Sequence, residues 1–173
     1  MQAVFNSSSF KSISVAHLNE YMLRIKKAIA DLNHEQIWWK PHPNTISIGN
    51  ILKHLNGNVT QWMISGLGRE EDHRNRAEEF KDDEMPAKEI LLNKLSLTIS
   101  KSCNVIENIS DDDLQTSITI QDFETTKLAA IYHVVEHFSW HSGQVTWVSK
   151  MLQGENHHIA FYDDNKLNEA KNK

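Results

Sequence analysis

The 173-residue chain has a single cysteine, no excess of basic residues and no long apolar run. Cys103 alone excludes an intramolecular disulfide and any zinc site built from several cysteines, and it fits a reducing compartment. Lys and Arg number 18 against 23 Asp and Glu, a formal net charge of −5, with both signs mixed along most of the chain. A duplex-binding protein carries a basic face to neutralise phosphates, so nucleic acid is not expected as a partner. Charged or histidine residues interrupt every apolar stretch well short of the ~20 residues a membrane span needs, so no membrane association is expected either. The segment Met1 to Val15 is Ser-rich and lacks a basic start followed by an apolar stretch, which predicts no secretory signal and a cytoplasmic location.

Hydrophobic residues make up 39% and charged residues 24%, a globular composition. The length suits one domain with a substantial core, about residues 10–162, followed by a polar C-terminal tail over 163–173. Apolar residues recur at helical spacing in four segments, near 14–32, 47–65, 86–109 and 126–153. Ser47 is a good N-cap for the second helix and Gly66 and Gly68 stop it; Pro86 suits the first turn of the third; Gly154 ends the fourth. Between the first two helices, Pro41 and Pro43 rule out a continuous helix over Asn33 to Thr45, and Trp38 and Trp39 there are expected to pack on the bundle. The charged stretch Arg69 to Glu84 reads as an exposed, solvated connection. Ile118 and Ile120 alternate with polar neighbours, which suits a short extended piece between the last two helices. Four amphipathic helices without a convincing sheet predict an all-α, antiparallel four-helix bundle with a long connection. Trp62, Trp140 and Trp147 are expected in its core.

The chain is rich in histidine, with ten. Three of them, His133, His137 and His141, stand four residues apart on the fourth helix, so neighbours share a face one turn apart. An adjacent pair can close on one metal ion, but all three cannot easily do so. His133 and His141 lie about 12 Å apart along the axis, against metal–nitrogen bonds of about 2.0–2.1 Å. A third ligand must then come from another helix. His54 is the only histidine inside the second helix, on a polar seam with Asn50, Asn58 and Gln61 at steps of four, four and three. Such a seam must face water or meet polar partners inside. Gln144, three residues beyond His141, extends a matching seam. Periodicity supports the seam but does not by itself select His54.

The stretch His137-Phe-Ser-Trp-His141-Ser-Gly143-Gln144 resembles the fourth-helix signature of the DinB-like, or YfiT-like, metal-binding bundle superfamily. Trp39-Lys-Pro41, with Ser47-Ile-Gly49-Asn50 through His54-Leu55, is similar to that superfamily's second-helix start, and Arg76-Ala-Glu-Glu79-Phe80 fits an uncharacterised subgroup. The resemblance runs from the first helix through Tyr162. It implies a metal triad of one histidine from the second helix and two, four apart, from the fourth: here His54, His137 and His141, with His133 a neighbour. Many relatives carry arginine before the Gly-Gln pair where this chain has Ser142, so their substrates do not transfer to it.

Three neutral imidazoles leave a tetrahedral ion one open position, the arrangement of a catalytic site. Zinc or nickel suits such ligands. Asn50, Asn58, Glu136 and Gln144 are candidates to support the ligands, although Glu136 is rotated about 100° from His137. The resemblance implies a metal-dependent enzyme acting on a small-molecule substrate, with a low-molecular-weight thiol as cosubstrate: an S-transferase or a related transferase or isomerase. The alternatives are a metal-dependent hydrolase and a non-catalytic metal-binding or stress-response bundle. Relatives often pair, so a homodimer through helix faces is expected.

Overall fold

A computed structural model describes residues 6–162; the expected polar tail lies outside them. Five α-helices follow one another: α1 (Ser7–Ala28), the short α2 (His34–Trp38), α3 (Ile48–Val59), α4 (Lys88–Asn108) and α5 (Lys127–Gln153). A hairpin of β1 (Ser117–Ile120) and β2 (Phe123–Thr126) precedes α5, with Ile120 opposite Phe123 at its turn. The brief alternation around Ile118 and Ile120 therefore is a strand, paired locally and too small to form a layer.

The four long helices bury one apolar interior in which Leu18, Ile25, Leu55, Leu95, Val134 and Phe138 are fully enclosed. Each of α1 and α3 packs on both α4 and α5, so consecutive helices α1 and α3 sit diagonally across the bundle. Side-chain links between helix ends give their directions. Lys11 near the start of α1 donates to the Ile109 carbonyl at the end of α4, and Lys88 at the start of α4 donates to the Ile29 and Leu32 carbonyls; α1 and α4 are antiparallel. Trp62 meets His133 while His54 meets His137 and His141, so α3 and α5 are antiparallel too. The remaining neighbours run the same way: Gln153 ending α5 reaches Ala28 ending α1, and Trp38 beside the start of α3 donates to the Pro86 carbonyl before α4. Two helices thus run in each direction.

This arrangement fixes the course of the long connection. Because α3 and α4 are parallel neighbours, the chain leaving Leu67 must return the full length of α3 before α4 can begin. The π-helical turn Thr60–Leu67 extends α3 to a combined length of roughly 30 Å at the α-helical rise, and the segment 68–87 runs back along it. The charged stretch is exposed along most of its length, as expected, with a short helical turn at Arg76–Phe80, but its course lies across α3 and its Glu79 is only 6% exposed.

Several helix ends differ from the sequence expectation for identifiable reasons. Asn6 accepts from the Ser9 amide and caps α1, which begins at Ser7 rather than near Ser14. The first helix stops at Ala28, and Asn33 starts α2 with a reciprocal capping box to Gln36 inside the expected connector. Gly66 does not end the second helix; it lies within the π turn, whose wider winding buries Gln61, Trp62, Met63 and Ile64 in succession. Pro86 precedes α4 instead of joining its first turn. Gly154, at φ 64°, ends α5 as expected. Trp38 is buried and Trp39 is 37% exposed. Trp62 is a core residue, but Trp140 and Trp147 are both 67% exposed, contrary to expectation. Apolar residues occur all round α5, so its sequence does not mark which of them face inward. No helix among the described residues is long and apolar enough to cross a membrane.

Candidate metal site

Ser47 caps α3 through the Asn50 amide, and the Asn50 side chain returns a bond to the Ser47 amide. This reciprocal cap fixes the phase in which α3 enters the bundle, with Asn50, His54, Asn58 and Gln61 all buried. Thr126 caps α5 by accepting from the Ala129 amide. The polar seam of α3 then faces the histidines of α5.

His54, His137 and His141 converge, one ring nitrogen of each lying within 4.8 Å of the others. His54 Nε2 and His137 Nε2 are 3.1 Å apart. Ring centroids are separated by 5.0 Å for His54–His137, 5.1 Å for His54–His141 and 4.5 Å for His137–His141. His133 stays outside this group. Its ring packs on Trp62 at 4.3 Å and on His137 at 5.7 Å.

Two of the three rings are oriented from behind. His54 Nδ1 donates to Glu79 Oε2 at 2.8 Å, and His141 Nδ1 donates to Gln144 Oε1 at 2.7 Å. A proton given from Nδ1 to these oxygens leaves the lone pair on Nε2, the arrangement that ligation through Nε2 requires. Glu79 is itself clamped: Arg74 Nε reaches Oε1 at 2.6 Å and Arg74 Nη2 reaches Oε2 at 2.9 Å. Arg74 also donates from Nη1 to Gln61 Oε1 at 2.7 Å, and Gln61 Nε2 donates to Asp72 at 2.6 Å. Asn50 Nδ2 holds the Glu79 carbonyl at 3.2 Å. The seam residues of α3 thus grip the returning connection, and the connection in turn grips His54. Gly57 is needed for this approach, because a Cβ there would overlap the Glu79 carboxylate.

Burial pushes the Glu79 carboxyl upward, but the hydrogen bonds from His54 and Arg74, with the Arg74 charge, outweigh it and hold the group below its ordinary value. Glu79 is consequently an anion and an acceptor. Burial lowers His137 to about 3, reinforced by the neighbouring His141 and His54. Burial and the neighbouring His54 lower His141 as well, against the opposing bond to Gln144. Both rings are neutral at pH 7 and have their lone pairs available.

The residues present fit a divalent cation. His54 Nε2 and His137 Nε2 meet at 3.1 Å, where at most one proton fits between them, and the buried His137 Nδ1 has no hydrogen-bond partner. The ring nitrogens of His54, His137 and His141 would hold such a cation, which would take up lone pairs that otherwise face one another.

Among the four candidate supporting residues, Gln144 touches a triad ring and Asn50 acts at one remove through Glu79. Asn58, one turn beyond His54 on α3, is buried with Oδ1 unpartnered. Glu136 is exposed, and it bears on the histidines only by opposing the burial that lowers His133. Glu79 and Arg74 adjoin the triad, and sequence periodicity misses them because they stand in a segment without a helical period. The fit of Arg76 to Phe80 to a family pattern was the only signal pointing there.

The sequence matches the model of a family described as a protein of unknown function (DUF1572) over residues 6–162. No curated protein matches it. Among solved structures, the chain is similar to a conserved protein from Enterococcus faecalis, with TM-score 0.71 and 16% identity over 83% of this chain and 97% of that one. It is also similar to a DinB-like protein from Bacillus cereus, with TM-score 0.64 and 15% identity over 80% and 90% of the two chains. A DinB-like protein from Bacillus subtilis gives TM-score 0.64 and 15% identity over 87% and 97%. At such identities the likeness establishes the fold. The chain belongs to the DUF1572 family and has the DinB-like helical-bundle fold.

Proposed function

We propose that the protein is a metal-dependent enzyme acting on a small molecule, with one divalent ion held by His54, His137 and His141, and that its reaction is transfer to or from a low-molecular-weight thiol. The convergence of three imidazole nitrogens within 4.8 Å carries this reading. Their orientation from behind by Glu79 and Gln144 supports it, since a ring fixed in one tautomer is ready to ligate without rearrangement.

A zinc or nickel ion bound there supplies Lewis acidity, which lowers the pKa of a thiol or of water. The protein's own groups argue against base-assisted hydrolysis. Hydrolysis by activated water usually calls on a carboxylate free to take a proton. The carboxylate that touches the triad, Glu79, commits both oxygens to Arg74 and His54, and Glu136 points to solvent. A thiol or a water molecule lowered in pKa by the metal loses its proton to solvent without a base, so the lack of a free carboxylate argues against base-assisted hydrolysis alone, and thiol transfer is the reading that the resemblance implies.

The test has two stages. The full-length protein, purified without chelator, is expected to carry close to one equivalent of zinc or nickel, which a chelator removes. The loaded protein is then screened with a panel of small thiols and electrophilic acceptors, and activity should vanish with the metal. Absence of metal after incubation with zinc and with nickel would refute the proposal. A full site with no turnover across the panel would favour the non-catalytic bundle.

A further inference from the structure

A second feature adjoins the triad. The connector after α2, the first turns of α3 and the last turns of α5 line an open cavity of about 310 Å³. Trp39, Ile46, Ile51, Trp147 and Met151 form its apolar walls, and Gln144 is its polar contact with the site described above. The same Gln144 accepts from His141 Nδ1, and Ile51 lies one helical turn before His54, so the cavity reaches the α3–α5 seam at the Nδ1 edge of His141.

Three observations identify its occupant. None of the lining residues is charged, so a carboxylate or ammonium group would enter without a counterion and lose its hydration. The volume stands at the lower end of ligand pockets, about 300–1,000 Å³, and suits a single ring rather than a peptide-sized thiol. Trp147 is 67% exposed, and Met151 and Ile46 also reach solvent, a costly set of apolar groups to leave wet beside a concavity. Gln144 adds direction: its carbonyl oxygen is taken by His141, while its amide donor forms no hydrogen bond with any described residue.

We propose that this cavity is the subsite for an uncharged ring of a small organic substrate, bearing a hydrogen-bond acceptor that meets the Gln144 amide. As a substrate subsite it rests on the metal-enzyme reading above. As a cavity that binds a neutral ring it does not.

The experiment is an NMR titration of the full-length protein, metal-loaded and chelator-stripped, with benzamide and with benzoate. The Trp147 indole and Gln144 amide signals are followed, and Trp147→Ala is run in parallel. Trp147 is exposed, so its removal should leave the fold intact by circular dichroism. Benzamide should shift both signals, benzoate should bind at least tenfold more weakly, and Trp147→Ala should weaken benzamide by about tenfold. Met151→Lys places a cation at the wall and should bring benzoate binding up to that of benzamide or beyond. Equal affinity for the two probes in the parent, or no effect of Trp147→Ala, would overturn the inference. A protein that takes up no metal yet shows the benzamide pattern would remove the metal reading and leave the cavity standing. Full metal with no benzamide shift would do the reverse.

Discussion

Replacing Glu79 by alanine should harm the protein in two separable ways. Glu79 is 6% exposed and the Arg74 side chain 4%, so the carboxylate is the buried counterion of a buried guanidinium. Its loss removes two Arg74 contacts, at 2.6 and 2.9 Å, and the 2.8 Å contact with His54. Breaking a buried pair by deleting one partner costs about 3–5 kcal/mol. Arg74 retains its bond to Gln61, which places the expected loss near the lower end, about 3 kcal/mol. For a chain of this size that corresponds to a fall in Tm of roughly 6–12 °C. Independently, His54 loses the acceptor that fixes its tautomer, a kind of change that weakens metal binding by about 10–100-fold. Thermal unfolding of the metal-stripped protein reads the first effect, and competition with a chromogenic chelator reads the second. The double variant Arg74→Met, Glu79→Ala separates them: it leaves no orphaned charge and should recover much of the stability, while metal affinity stays low. A Glu79→Ala protein with unchanged Tm and unchanged metal affinity would refute the idea that the connection supports the site.

Gly57→Ala should displace the Glu79 carboxylate and weaken metal binding without altering any ligand, which the same chelator competition would detect. Metal-stripped protein should lose stability as pH falls from about 6.5 toward 3. Unfolded His137 takes up a proton at its ordinary value of 6.5 and the folded residue only at about 3, so acid favours the unfolded chain. Denaturant midpoints measured across that range should rise with pH, and a flat profile would contradict the burial argument. The exposed face of α5 carries Tyr132 and Trp140, and a Cβ at Gly143 would touch nothing, a combination suited to close approach by a second copy. We therefore expect sedimentation at high concentration to report twice the 20.0 kDa chain mass, with Trp140→Glu returning the protein to a monomer.

The helices and the triad histidines were legible in the sequence because both depend on a period. Apolar residues at three- and four-residue steps located all four long helices. The steps His54 to Asn58 on α3 and His137 to His141 on α5 marked polar seams that either face water or meet inside, and the structure brings them together. The resemblance, rather than spacing, selected His54 and set aside His133, and the structure brings together that same trio. Glu79 and Arg74 were not legible, since their burial follows from topology. Only when α3 and α4 prove to be parallel neighbours must the charged segment 68–87 cross the face of α3, and no local pattern in the segment declares this. Trp140 and Trp147 were misplaced for a related reason. On a helix with apolar residues on every side, period alone does not choose the buried face.

The central claim is that three imidazoles share one ion, and metal content by native mass spectrometry of four alanine variants tests it most directly. Two imidazoles hold a divalent ion far less well than three, so His54→Ala, His137→Ala and His141→Ala should each lose most of the bound metal. His133→Ala should keep it, because that ring packs on Trp62 outside the group. Retained helicity by circular dichroism ensures that any loss is local. An empty site in His133→Ala beside a full one in His141→Ala would shift the register by a turn. Full metal in all four variants would contradict the account.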